Sequence, residues 1–211
     1  MPSPYEGLPK DKWSAKTDEL VAALPVTKGE LVDVVLSSWE QILSSGFGDK
    51  AYKIGEHIFP TPQVMGALLH AIIPLELASR KPGQWRVDQS KNEKDLVCIG
   101  DPKLCIEIKT SSHKDRIAGN RSYSQKQEEK PISTKPTKEK SGYYLTVNFE
   151  KFAIDPKTKV PNRPKVVQVA IGWIDHDDWK GQAAATGQSA SISPDVYAHK
   201  LKKIYLNGKK L

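Results

Sequence analysis

The residues with the clearest chemical potential lie near the middle of the chain, where an aspartate precedes an acid-x-lysine segment. Asp95 is followed twelve to fourteen positions later by Glu107-Ile108-Lys109. Residues two apart in a strand point to the same face, so Glu107 and Lys109 project together from a strand whose other face is aliphatic. An unpartnered buried carboxylate is costly, and a divalent cation shared by Asp95 and Glu107 would offset that cost. Mg²⁺ prefers such oxygen ligands, and Lys109 beside it could orient or deprotonate a water molecule or stabilise developing charge.

This hypothesis sets a condition on how the two strands pair. Asp95 must share a face with Glu107, and directly opposed residues of an antiparallel hairpin share a face. A two-residue turn at Asp101-Pro102 would place Asp95 opposite Ile108, on the wrong face. A three-residue turn would instead place it opposite Lys109. We therefore predict an odd-numbered loop or a bulge between the two strands.

Other readings of these acids stay open. Glu-x-Lys on an amphipathic strand is also common as a solvated face with an ordinary ion pair. Asp88 follows a short extended segment and competes with Asp95, which we favour. Glu76, on the helix before the strands, is a further candidate catalytic carboxylate. An ion pair between Glu76 and Arg80, four residues on, is an equal alternative.

Two polar segments are candidates for contact with nucleic acid. Small and charged side chains of the kind that contact phosphate oxygens follow the acid-x-lysine segment. These are Ser111, Ser112, His113, Lys114, Asn120, Arg121, Ser122, Tyr123 and Gln125. A second segment, residues 181–191, is rich in small residues and amides, which can read base edges. Its candidates are Gln182, Thr186, Gln188 and Ser189, with a flexible solvent loop as the alternative.

The charge distribution agrees with a polyanionic partner for the central region. The formal net charge of the whole chain is +7, which points only weakly to a polyanion. Residues 1–60 carry a net charge of −3, residues 107–140 carry +4, and residues 199–211 carry +5. The carboxylates of interest therefore border a basic segment, whereas the N-terminal region is acidic.

The pattern of the chain predicts helices first, then strands, then a final helix. A capping box at Thr27–Glu30 starts one helix, and Thr61-Pro62 starts another. The predicted helices cover 18–24, 28–43, 62–73 with a bend at Pro74, and 194–205. The predicted strands cover 84–87, 96–99, 104–109, 143–149 and 166–174. Residues 126–140 are charged and contain proline, which predicts an exposed loop.

These elements indicate an α/β or α+β fold with a central mixed sheet flanked by helices. We expect an N-terminal helical region, residues 1–60, that acts as scaffold or dimer surface. Residues 61–211 would then form the catalytic core with its recognition loops.

Composition excludes several classes of protein. The chain has 211 residues and 38% hydrophobic residues, which suits a globular domain. Two cysteines cannot build a disulfide framework or, alone, a zinc site. No apolar run approaches the length of a membrane span, and the N-terminus lacks a signal-peptide pattern, so we expect a cytoplasmic protein without a membrane partner.

Asp95 with Glu107-Ile108-Lys109 resembles the PD-(D/E)XK nuclease motif, although Lys94 stands where proline is usual. The wider chain, over roughly residues 55–205, resembles the ScaI-type family of type II restriction endonucleases. The segments that carry this likeness are Phe59-Pro60-Thr61-Pro62-Gln63, Glu107-Ile108-Lys109-Thr110-Ser111, Gly119-Asn120-Arg121-Ser122-Tyr123 and Ser141-Gly142-Tyr143-Tyr144-Leu145-Thr146-Val147-Asn148-Phe149.

The resemblance implies a restriction-endonuclease-like core and a homodimer that cuts palindromic double-stranded DNA with Mg²⁺. It also implies a cognate DNA methyltransferase as functional partner, and Asp95 and Glu107 as the metal ligands. A repair or junction nuclease, and a non-catalytic basic DNA-binding module with an ordinary ion pair at Glu107 and Lys109, are the alternatives.

Overall fold

The computed structural model describes residues 2–125, 138–184 and 186–211. Most of the expected charged loop, residues 126–137, lies outside this part of the chain. The helices in it are α1 (Trp13–Ala22), α2 (Lys28–Ser44), α3 (Pro62–Arg80) and α4 (Pro194–His199). The strands are β1 (Gly46–Phe47), β2 (Tyr52–Lys53), β3 (Trp85–Val87), β4 (Leu96–Cys98), β5 (Ile106–Ser111), β6 (Ala118–Asn120), β7 (Gly142–Phe149), β8 (Val166–Ile174), β9 (Trp179–Gly181), β10 (Ser189–Ile192), β11 (Leu201–Leu206) and β12 (Lys209–Lys210).

A seven-stranded mixed sheet organises the molecule, in the order β12-β11-β8-β7-β5-β4-β3. Strands β5 and β7 run parallel, with Ile106 beside Tyr143 and Ser111 beside Asn148. The other neighbouring pairs in this sheet are antiparallel. The prediction of an α+β fold with a central mixed sheet is therefore confirmed.

Helices α2 and α3 begin where the sequence predicts, whereas α1 begins at Trp13, five residues before its predicted start. Thr27 accepts a hydrogen bond from the Glu30 amide, and the Glu30 carboxylate accepts one from the Thr27 amide, which completes the capping box. Pro62 occupies the first turn of α3 after Thr61. A Cβ at Gly66 of α3 would lie 2.6 Å from Thr110 Oγ1, so this helix packs closely against β5.

One hydrophobic core joins the N-terminal helices to the sheet. It extends from Tyr5 through Leu31 and Leu69 to Ile106 and Tyr205. Leu31, Leu69 and Ile106 are fully buried, and each such side chain stabilises the fold by about 1.5–3 kcal/mol. Among the described helices, none is long and apolar enough to span a membrane.

The predicted final helix is wrong beyond His199. Helix α4 ends there, and residues 201–206 form β11 beside β8. The pairing of β11 shifts register between Lys203 and Tyr205, so that the adjacent residues Ile204 and Tyr205 are both buried. Leu201, Ile204 and Tyr205 consequently show the spacing of a helical face although they lie in a bulged strand.

A buried lysine fastens the N-terminal segment to the sheet. Lys200 is 3% exposed, and its Nζ lies 2.8 Å from both Asp175 Oδ2 and Asp178 Oδ2. The same ammonium lies 4.4 Å from the centroid of Tyr5 and 4.6 Å from that of Trp13. Asp175 and Asp178 thus have a structural role, because they hold the lysine that packs against the N-terminal segment.

Candidate active site

The β4–β5 pair brings the predicted carboxylates to one face. Leu96 pairs with Ile106, and the connection between the strands, residues 99–105, has the predicted odd number of residues. In this register Asp95 lies opposite Glu107. A three-residue turn would have placed it opposite Lys109, two residues further along the same face. Asp95 Oδ2 accepts a hydrogen bond of 2.7 Å from the Ile108 amide, which fixes the aspartate against β5.

Glu107 and Lys109 form a buried pair on β5. They are 4% and 8% exposed, and Lys109 Nζ lies 2.7 Å from Glu107 Oε1. Lys109 also donates to the Ile108 carbonyl at 3.2 Å and to the Tyr123 hydroxyl at 2.9 Å. An ammonium has three protons, so these contacts use all of them.

Tyr123 enters the centre from the short 3₁₀ helix Arg121–Ser124. Its hydroxyl donates to Glu107 Oε1 at 2.5 Å, and Lys109 Nζ lies 4.5 Å from the centroid of its ring. Burial and the Glu107 carboxylate raise the pKa of Tyr123 well above its usual range, so the hydroxyl remains a donor. The sequence favoured Tyr123 as a DNA contact, whereas the structure places its hydroxyl on the catalytic candidates.

A second lysine, absent from the sequence-based candidates, faces the same carboxylates. Lys138 Nζ lies 2.6 Å from Glu107 Oε2 and 3.6 Å from Asp95 Oδ1. Burial disfavours its ammonium, but Glu107 and Asp95 outweigh burial and raise the pKa of Lys138. Lys138 therefore stays charged where it faces the two acids.

These neighbours keep both carboxylates ionised. Burial alone would raise the pKa of Asp95, but His70, Lys138 and the Ile108 amide outweigh it and lower that pKa to about 2. Burial opposes ionisation of Glu107 as well, yet the adjacent lysines leave the pKa of Glu107 below its usual value. The centre thus presents two anionic oxygen groups at neutral pH.

Helix α3 contributes His70, and not the candidate Glu76, to the surroundings of Asp95. His70 Nδ1 lies 3.5 Å from Asp95 Oδ2. Glu76 Oε1 instead accepts from Arg80 at 2.5 Å and from Ser37 of α2 at 2.9 Å. The ion-pair alternative is therefore the observed one, and Glu76 is withdrawn as a catalytic candidate because its carboxylate is engaged with α2 and Arg80.

Lys94, which stands in the usual proline position before Asp95, is buried behind the centre. It is 8% exposed and donates to the Ser141 carbonyl at 2.8 Å. Burial lowers the pKa of Lys94 to about 8, although Glu107 acts in the opposite direction. The competing aspartate, Asp88, is exposed beyond β3, which supports the choice of Asp95.

The donor set suits a hard divalent cation. Asp95 and Glu107 each direct one oxygen toward the positive charge of Lys138, so a cation is already favoured at this position. Carboxylate oxygens are the ligands that Mg²⁺ prefers, with water and phosphate oxygens completing the shell. Within the described residues no group of three or more His, Cys, Asp and Glu side chains gathers, so two carboxylates are what the protein offers there.

A small three-stranded sheet brings the two predicted recognition segments together. Its order is β6-β10-β9, and Asn120 of β6 pairs with Ser189 of β10. The Arg121 amide donates to the Gln188 carbonyl at 2.8 Å, and the Arg121 guanidinium donates to the Gly187 carbonyl at 2.7 Å. Arg121 therefore holds the β9–β10 loop, a role that sequence reasoning did not assign to it.

The remaining DNA-contact candidates occupy two loops and the segment beside Tyr123. In the β9–β10 loop, Gln182, Thr186 and Gln188 are exposed. After β5, Ser111 Oγ accepts from the His113 amide at 3.1 Å, and Ser112 and Lys114 belong to the same turn. In the third group, Lys140 Nζ donates to the carbonyls of Ser122 and Gln125.

Comparison with known proteins agrees with this geometry. The sequence model of a family described as ScaI restriction endonuclease matches residues 3–205. The type II restriction enzyme ScaI of Streptomyces caespitosus is 46% identical over 209 residues, which cover 99% of this chain and 87% of that protein. No solved structure matches the chain significantly.

The match along nearly the whole chain places the protein among the type II restriction endonucleases. More narrowly, the chain belongs to the ScaI restriction endonuclease family. The resemblance to the ScaI-type family is thereby confirmed, and the mixed sheet with its flanking helices is consistent with a restriction-endonuclease-like core.

Proposed function

We propose that the protein hydrolyses phosphodiester bonds of double-stranded DNA at a short palindromic site in an Mg²⁺-dependent reaction. The observation that carries this proposal is the convergence of Asp95, Glu107 and Lys109 in one buried centre beside a polar loop surface. The membership of a restriction endonuclease family supports the same substrate and reaction.

In this proposal Asp95 and Glu107 would hold the cation. Bound Mg²⁺ would supply positive charge that stabilises developing negative charge on a phosphate. Lys109, with all three protons engaged, holds Glu107 and can orient water or a phosphate oxygen by releasing one contact. Its engaged ammonium favours orientation and charge stabilisation over proton abstraction.

DNA contacts are assigned to three groups of side chains near this centre. Ser111, Ser112, His113 and Lys114 lie at the end of β5, where phosphate contacts fit their chemistry. The exposed amides and hydroxyls of the β9–β10 loop suit base edges. The full set of proposed contacts is Ser111, Ser112, His113, Lys114, Asn120, Ser122, Gln125, Gln182, Thr186, Gln188 and Ser189.

A homodimer fits a palindromic site because two-fold symmetric protein matches two-fold symmetric DNA. We assign the scaffold or dimerisation role to residues 1–60, and the catalytic core with its recognition loops to residues 61–211. A cell that makes such an enzyme must protect its own sites, so a cognate DNA methyltransferase is the proposed functional partner. We infer a cytoplasmic enzyme, because foreign DNA that enters a cell would be met there.

The test is digestion of plasmid DNA with Mg²⁺, with and without chelator. We expect discrete fragments that disappear with chelator and at high salt, since phosphate contacts release counterions. Asp95→Asn and Glu107→Gln should each lower the cleavage rate at least about a hundredfold. Asp88→Asn is the matched control, because it changes the competing exposed aspartate, and it should cut at the normal rate.

Three results would contradict parts of this proposal. An intact plasmid across salt and metal conditions would refute the nuclease. Normal cutting by Glu107→Gln would refute the site assignment, and cleavage restricted to branched DNA would favour a repair nuclease. Sequencing the cut ends identifies the recognition site and the stagger of the cuts.

A further inference from the structure

The oxygens of the two carboxylates divide into an inner and an outer pair. The inner oxygens are held by the protein: Asp95 Oδ2 accepts from the Ile108 amide, and Glu107 Oε1 accepts from Lys109 and Tyr123. The outer oxygens, Asp95 Oδ1 and Glu107 Oε2, are those that remain for an external cation. Glu107 Oε2 is buried and accepts no well-directed hydrogen bond from the described residues.

Lys138 places its ammonium on this outer pair. Its Nζ lies 2.6 Å from Glu107 Oε2 and 3.6 Å from Asp95 Oδ1, and its side chain is 26% exposed. Lys109, by contrast, contacts Glu107 only through the inner oxygen Oε1. Lys138 is thus the residue whose charge stands where a shared divalent cation would stand.

We propose that Lys138 occupies the metal position of the DNA-free enzyme and couples metal binding to DNA binding. This inference rests on the metal site of the proposed function. An ammonium and a divalent cation cannot both lie between the two outer oxygens, because their like charges would repel at this distance. Metal binding to the free enzyme therefore has to displace Lys138 from a partly buried ion pair.

A DNA phosphate supplies the alternative partner that Lys138 then needs. Phosphate oxygens accept strongly from lysine. A DNA phosphate would also add negative charge beside the metal and the two lysines, Lys109 and Lys138. When DNA is bound, the ammonium can move to a phosphate and leave the outer oxygens to the metal. Coupling of this kind is reciprocal, so the metal must strengthen DNA binding by the same factor by which DNA strengthens metal binding.

The test measures metal affinity directly, without cleavage. Mn²⁺ is titrated into the DNA-free protein, and the free ion is followed by electron paramagnetic resonance. Lys138→Gln should bind Mn²⁺ about tenfold more tightly than the wild type, because the competing charge is gone. Lys138→Arg, which keeps the charge, should bind as weakly as the wild type and controls for altered packing.

Lys103→Gln is the matched charge control. It removes the same charge from the exposed connection between β4 and β5, away from the carboxylates, and should leave Mn²⁺ affinity unchanged. Asp95→Asn should abolish Mn²⁺ binding in every background. Equal affinities of wild type and Lys138→Gln, or equal tightening by Lys103→Gln, would overturn the proposal for Lys138.

The coupling is tested by measuring the affinity for a fluorescent duplex that carries the recognition site mapped from the cut ends. The affinity is measured once in Ca²⁺ and once in chelator, and a gel checks that the duplex stays intact. Ca²⁺ should tighten duplex binding in the wild type and do so several-fold less in Lys138→Gln. An equal effect in both proteins would refute the coupling role. Failure of the proposed function is distinguishable, because then the wild type cuts no duplex or Asp95→Asn still binds Mn²⁺.

Discussion

Replacing Tyr123 with phenylalanine would remove one hydroxyl from the centre and keep the ring. That hydroxyl donates to Glu107 Oε1 at 2.5 Å and accepts from Lys109 Nζ at 2.9 Å. The ring itself packs against Trp179, with centroids 5.0 Å apart, and this contact survives the change. The variant therefore isolates the positioning of Glu107 and Lys109 from the packing of the recognition segment.

The magnitude follows from the charge on both partners. A hydrogen bond to a charged group contributes about 1.5–3 kcal/mol, and the hydroxyl makes two of them. The direct 2.7 Å contact between Lys109 and Glu107 remains and limits the loss. We therefore expect the transition state to lose the stabilisation of about one such hydrogen bond, which lowers kcat about ten- to a hundredfold.

The assay separates catalysis from binding. Single-turnover cleavage of a duplex gives the chemical rate, and anisotropy of the same labelled duplex without metal gives its affinity. We expect Tyr123→Phe to lose rate while Kd stays within about twofold of the wild type, because the hydroxyl faces the carboxylates. This result would show that Tyr123 positions Lys109 and Glu107.

The opposite pattern would refute this reasoning. A tenfold weaker Kd with an unchanged single-turnover rate would show that Tyr123 contacts DNA, as its sequence context first indicated. Tyr123→Ala serves as the comparison, since it also removes the contact with Trp179 and should lower thermal stability as well as rate.

Two further predictions concern stability. The pKa of Asp95 is lowered to about 2, so its contribution to stability is present above the unfolded value near 4 and is lost as pH falls toward 2. Over that window the free energy of unfolding should drop by about 2 kcal/mol more in the wild type than in Asp95→Asn. Lys200→Met should lower the free energy of unfolding by about 3–5 kcal/mol, because it leaves Asp175 and Asp178 with an uncompensated buried charge. Lys202→Met, which breaks an exposed 2.9 Å pair, should cost at most about 1 kcal/mol in denaturant titrations, and equal losses for the two lysine variants would contradict the argument.

The geometry of β5 was predictable because the pattern that determines it is local. The alternation around Glu107 and Lys109 sets their shared face within a few residues, and the parity of one loop is enough to bring Asp95 to the same face. The capping box of α2 was visible for the same reason. Strand β11 was missed because a bulge gives it helical spacing.

The other members of the centre could not be found in this way. His70 and Lys138 reach Asp95 from sequence distances of 25 and 43 residues, through the packing of α3 and the approach to β7. Neither has a periodic pattern that marks it, and a lone histidine on an apolar helix reads as a core residue. The single signal for Lys138 was its place in the basic segment 107–140, which does not distinguish one lysine from another.

Within the segment Arg121–Ser124, two residues only two positions apart contact different parts of the molecule. Arg121 holds the β9–β10 loop through the carbonyls of Ala184 and Gly187, and Tyr123 holds Glu107 and Lys109. A single short 3₁₀ turn links these contacts, so a displacement of the loop would act first on the hydrogen bonds of the Tyr123 hydroxyl with Glu107 and Lys109.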